Sequence, residues 1–138
     1  MINSFLYAER GDLLSVTLLE TKSPNNNQIY INQQISESTT DQFSLDPVEY
    51  GFWMYKITYE TIDIHGDVHN ATGVVSYPRV ELLQVPNEAF PIASYQHGTV
   101  LERSAVTSEQ GIWVLSAFLT GSGYVYVEPD YLGLGDSE

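Results

Sequence analysis

The sequence predicts an α/β fold, an antiparallel hairpin followed by a strand–helix–strand unit, forming an incomplete sheet within 138 residues. Three observations lead there. Residues 52–60 and 71–77 alternate in character on either side of a His-Gly-Asp turn, and a period of two marks strands with one buried face. Residues 91–128 hold a short apolar run, a segment of helical spacing and a second apolar run, as a right-handed unit with two parallel strands requires. Hydrophobic residues make up 43% of the chain, with ten Tyr, five Phe and two Trp, enough to pack a modest core.

Taken in order, residues 1–49 read as an N-terminal extension with a first strand in "GDLLSVTLLE" (Gly11–Glu20) and little else defined. "SPNNNQ" (Ser23–Gln28) reads as a loop, because Pro and Asn favour turns over ladders. The polar stretch Ile35–Pro47 is ambiguous and compatible with a short helix. Residues 50–138 form the main domain. Trp53, Tyr55, Ile57 and Tyr59 alternate with Lys56, Thr58 and Glu60, and Ala71, Gly73, Val75 and Tyr77 with Thr72, Val74 and Ser76. Residues 52–64 and 68–77 therefore pair as a hairpin around His65-Gly66-Asp67, ended by Pro78. Pro91–Gln96 is the next strand. Thr107 and Gln110 have capping-box spacing, and Ile112, Leu115 and Leu119 mark one helix face, with Val114 and Phe118 beside it. Gly121 and Gly123 stop that helix, and "YVYV" (Tyr124–Val127) is a strand with apolar side chains on both faces.

Charge and composition exclude several functions. Five Lys and Arg stand against eighteen Asp and Glu, a formal charge of −13 that repels phosphate backbones and anionic membranes while aiding solubility. No nucleic-acid partner is expected. Cysteine is absent, so there is no disulfide or thiolate metal site, and the redox compartment stays open. No basic stretch leads into an apolar one, so no signal peptide is expected in the chain. The longest uncharged run, Gly111–Val127, spans 17 residues but is broken by three Gly, and reads as helix then strand rather than a membrane span.

In open α/β sheets ligands bind beyond the carboxyl ends of the strands. Two glycine-bearing loops lie there: His97-Gly98-Thr99, and "EPDYLGLGDS" (Glu128–Ser137). Glycine lets backbone approach a ligand closely, and backbone N–H groups fixed in a cleft are what a developing oxyanion needs. "YQHGT", a helix, then "GYVYVEPDYLGLGDS" resembles the N-terminal half of an α/β-hydrolase of the lipase/esterase, secretory-lipase-like branch. "YETIDIHGDVHNATGVVSYP" resembles the hairpin that precedes it there. The resemblance covers residues 50–138 and extends to 1–49 only through "GDLLSV".

The resemblance implies a serine carboxylic-ester hydrolase acting on an ester or lipid-like small molecule, with no cofactor and no metal. It implies that the Thr99 N–H faces the oxyanion while His97 and Gly98 shape the loop. It also implies that Asp130 and Tyr131 hold the second loop, that Gly133 and Gly135 allow its turn, and that Asp136 or Ser137 caps the next helix. A secreted or envelope location goes with the same branch. The departure from the pattern is the nucleophile: G-x-S-x-G is absent, since Ser122 in "GSG" has no Gly two residues before it. Serine, acid and histidine are all expected downstream of residue 138, so the chain reads as a fragment, inactive alone, with an unpaired sheet edge that invites a complementary C-terminal chain or self-association. A non-catalytic binding module reusing the half-fold is the alternative, favoured by the missing triad and opposed by the two intact loops.

Other polar clusters read as structural. His65 and His69 with Asp63 and Asp67 are exposed turn residues, because their spacing fixes no metal geometry. Glu128 and Asp130 have the spacing of two carboxyls on one strand face, but structural hydrogen bonding by Asp130 is the expected role. Ser104, Ser108 and Ser122 lack a neighbouring base and read as cap and loop residues. His97 shapes its loop rather than acting as a general base.

Overall fold

A computed structural model describes residues 11–38, 45–80 and 89–137. Its elements are β1 (Leu13–Lys22), α1 (Pro24–Ser38), β2 (Gly51–Ile62), β3 (Val68–Arg79), β4 (Ile92–Ser94), α2 (Thr107–Gln110), α3 (Val114–Gly121) and β5 (Val125–Pro129). The five strands form one mixed sheet in the order β1-β2-β3-β5-β4. Every neighbouring pair is antiparallel except β4 and β5, which run parallel across the α2–α3 connection. The fold is thus an α/β sheet, with the hairpin and the parallel pair where the sequence puts them.

The hairpin register runs unbroken from Ile62↔Val68 to Gly51↔Arg79. Its turn is held by Asp63, whose carboxyl accepts the N–H groups of His65 (2.8 Å) and Asp67 (2.9 Å). Those bonds, the Asp67 one foremost, hold the Asp63 carboxyl below its usual range. The second Asp63 oxygen lies 3.8 Å from His69 Nε2. This cluster is therefore occupied in making the turn.

The core sits on the sheet face opposite to the one the alternation marks. Phe52 and Met54 are fully buried with Ile31 of α1 and Ala117 of α3. Trp53, Tyr55, Ile57 and Tyr59 are only half-buried on the other face. Both faces of β2 are apolar near Gly51, and α1 and α3 cover only the face of Phe52 and Met54. Burying each of the larger core side chains contributes about 1.5–3 kcal/mol. On the other face Leu13, Ile57, Tyr59, Gly73 and Val127 line an apolar groove of about 260 Å³.

The segment expected as a loop at Ser23–Gln28 is the first turns of α1. Pro24 stands at the first helical position, where its missing N–H costs nothing, and Ser23 caps the end, its Oγ accepting the Asn26 N–H at 3.3 Å. Asn27 is fully buried, and its Nδ2 donates to Tyr50 O (3.2 Å) and Ala117 O (3.0 Å). Turn propensity gives way to that anchoring. The polar stretch 35–47 holds the end of α1, while residues 39–44 lie outside the described residues.

The single helix expected after Thr107 is two. Gly111 at φ +84° interrupts it, a conformation that favours glycine, so α2 and α3 are separate. The capping box does not form: Thr107 is the first helical residue and Val106 precedes it without a side-chain cap. Among the described residues no helix is long and apolar enough to cross a membrane.

Candidate functional site

Both sequence-predicted loops leave the sheet at the β4–β5 side, and the structure brings them together. Beyond β4, the Tyr95 N–H still bonds to Val127 O (2.8 Å), after which His97, Gly98 and Thr99 turn away. The His97 ring packs against Tyr131 at a 40° tilt, with centroids 4.4 Å apart. Its Nδ1 lies 2.8 Å from Gly98 O and its Nε2 3.2 Å from Asp130 O. A neutral imidazole can donate to only one of these carbonyls at a time. Tyr131, held at φ +66°, donates its hydroxyl to Gln96 Oε1 at 3.0 Å. Gly98 and Thr99 are exposed, and neither N–H has a hydrogen-bond partner among the described residues.

The Asp130 loop is clamped from four sides. Asp130 is fully buried, and its Oδ2 accepts the hydroxyls of Thr72 on β3 and Ser108 on α2, both at 2.5 Å. Its N–H bonds to Thr72 O at 2.9 Å. Oδ1 is buried without a hydrogen-bond partner among the described residues. Gly135 packs against the Oδ2 cluster, while Gly133 faces open space. Arg103 holds the far end of the loop, donating Nε to Gly135 O at 2.7 Å and Nη2 to Ser137 O. Asp136 and Ser137 are engaged within the described chain: Asp136 pairs with Lys56 at 2.6 Å, and Ser137 Oγ accepts the Thr72 N–H at 2.8 Å. Lys56 also meets Glu109 at 2.5 Å, tying β2 to α2 and to this loop. Partial burial pulls the Lys56 pKa down, but the two carboxylates outweigh it and raise it.

Sequence reasoning missed these partners, Thr72, Ser108 and Arg103 alike. Ser108, read as a cap or loop residue, is buried and donates to Asp130. Arg103 gives no sign in the sequence, since its role depends on carbonyls more than thirty residues away. The pair Glu128 and Asp130 does share a strand end, but the two carboxyls face separate networks. Tyr126 donates its hydroxyl to Glu128 Oε2 at 2.7 Å, and Trp113 Nε1 donates to that hydroxyl oxygen at 3.1 Å. Burial, and then the Glu128 bond, push the Tyr126 pKa far above the ordinary tyrosine range. This chain borders a cavity of about 310 Å³ beside His97, walled by Tyr95, Val106, Ile112 and Trp113.

No family model matches the chain. No curated protein matches it either. Solved structures do. A Legionella pneumophila protein whose hydrolase assignment is provisional matches at 32% identity and a TM-score of 0.69, over 91% of this chain and 32% of that one. The rice cell wall degrading esterase LipA from Xanthomonas oryzae matches as a point variant at 25% identity and as another form at 24%, both with a TM-score of 0.72, over 94% of this chain and 31% of theirs. The chain spans about a third of the length of these proteins. Strand order and these neighbours agree: the chain carries an incomplete portion of an α/β-hydrolase fold, similar to about a third of the chains of a hydrolase and an esterase.

Proposed function

We propose that the chain supplies the oxyanion-hole loop of a serine carboxylic-ester hydrolase, whose nucleophile, acid and histidine lie in sequence beyond residue 138. The observation that carries this reading is the meeting of the His97 and Asp130 loops, with the Thr99 N–H exposed and unpaired beside them. In such an enzyme a serine attacks the ester carbonyl, and the carbonyl oxygen gains negative charge. The Thr99 N–H then donates to that oxygen, and the alcohol leaves to give an acyl-enzyme that water hydrolyses. His97 holds Gly98 and Thr99 through its contacts with Tyr131 and the Asp130 carbonyl. The chain needs no cofactor for this part. The uncovered apolar sheet face and the β4 edge are surfaces for the rest of that domain, or for a complementary chain carrying it.

The test is p-nitrophenyl butyrate hydrolysis by the complete protein carrying G-x-S-x-G. Thr99→Pro, which deletes the N–H, lowers kcat by about 10²–10³ with little change in KM and in melting temperature. The 138-residue chain alone, which lacks G-x-S-x-G, is expected to give no turnover in the same assay. Unchanged kcat in the Pro variant would remove Thr99 from the oxyanion site. A complete protein with no ester hydrolysis would favour the binding-module reading instead.

A further inference from the structure

The cavity beside His97 contains a group that ester hydrolysis does not use. Glu128 is 3% exposed, and among the described residues only its Oε2 has a hydrogen-bond partner, the Tyr126 hydroxyl. No Lys, Arg or His of the described residues forms an ion pair with it. His97 shares the cavity wall, but its ring nitrogens face the carbonyls of Gly98 and Asp130. Its other oxygen, Oε1, is left to accept from a group entering the cavity, and a cationic donor matches a carboxylate best.

The surroundings favour a cation too. Trp113 and Tyr95 stand in the cavity wall with ring centroids 5.1 Å apart, and aromatic faces attract ammonium groups. The Tyr126–Trp113 relay holds Glu128 Oε2, so the carboxyl's position is set before a ligand arrives. The net charge of −13 raises the local concentration of cations over anions. The volume of about 310 Å³ is at the small end of ligand sites and suits one compact group.

We propose that this cavity binds a primary ammonium group on a short apolar or aromatic stem, the ammonium donating to Glu128 Oε1 and the stem lying against Trp113 and Tyr95. The site stands apart from the ester-hydrolase reading, because it is defined by binding alone. If that reading also holds, the cavity adjoins the oxyanion loop and would select esters bearing an amine.

The test is an NMR titration of the intact chain, following the Trp113 indole N–H. Benzylammonium at neutral pH is the probe and benzyl alcohol its uncharged match. Benzylammonium is expected to shift that resonance saturably in the millimolar range, with benzyl alcohol about tenfold weaker or more. Glu128→Gln brings the two ligands within about twofold of each other. Equal binding of amine and alcohol to the unaltered chain, or no saturable shift with either, overturns the proposal. That comparison needs no variant, so it decides the matter even if Glu128→Gln does not fold. Neither outcome bears on Thr99, whose failure would show only in ester turnover.

Discussion

Gly133 and Gly135 offer a matched pair of alanine substitutions in one loop. Both have positive φ, +84° and +56°, so each Ala pays for a left-handed backbone, about 1 kcal/mol. Their surroundings differ completely. A Cβ at Gly133 meets nothing within 4 Å, whereas one at Gly135 lies 2.7 Å from Asp130 Oδ2, 3.0 Å from Thr72 Oγ1 and 3.1 Å from Ser108 Oγ. These three atoms make the two hydroxyl–carboxyl bonds that hold Asp130. Asp130 is fully buried and anchored on β5 and β3, so it cannot swing into solvent. The added methyl must break or lengthen at least one of the two bonds, and leaving a buried polar group unsatisfied costs about 1–3 kcal/mol. Gly135→Ala should therefore destabilise by about 2–4 kcal/mol, from the backbone and contact costs together, and Gly133→Ala by about 1 kcal/mol, from the backbone alone. Urea unfolding of the intact chain, followed by circular dichroism, measures both. Equal losses, or a Gly135→Ala loss under about 1.5 kcal/mol, would mean that the Asp130 cluster is not the clamp described above.

Two further outcomes follow from the fold. Asn27→Ala removes both bonds from α1 to the carbonyls of Tyr50 and Ala117 and should cost about 2–4 kcal/mol in the same unfolding assay; a loss under about 1 kcal/mol would place the anchoring of α1 elsewhere. The hairpin turn should be acid-sensitive. A carboxyl held below its ordinary value of 3.8 stabilises the fold above that pH and stops doing so as pH falls through its own lower value. The melting-temperature advantage of the unaltered chain over Asp63→Ala should thus be present at about pH 7 and absent near pH 2, and a gap that persists in acid contradicts this account of the turn.

The hairpin was legible because its information is local: alternation, a glycine in the turn and a proline at the end specify β2 and β3 without help from the rest of the chain. The βαβ unit was legible for the same reason. The helix α1 was not, because five of the six residues of "SPNNNQ" favour turns, and what makes it helical is a cap at Ser23 and carbonyls 23 and 90 residues away that accept from Asn27. Capping-box spacing at Thr107 was a false signal, since the chain enters α2 one residue earlier than the box requires, with Thr107 already helical.

At the candidate site the residue types could be read, but their partners could not. The sequence by itself determined the α/β class, the hairpin, the parallel pair and the two loops at the strand ends, because strand periodicity and glycine placement are written along the chain. Only the tertiary structure decided that helices cover the face of Phe52 and Met54, that Ser108, Thr72 and Arg103 hold the second loop, and that Glu128 borders a cavity with one oxygen unmatched. Those facts depend on which atoms meet across tens of residues of sequence, and a side chain's partners are set by the closing of the sheet rather than by its neighbours along the chain.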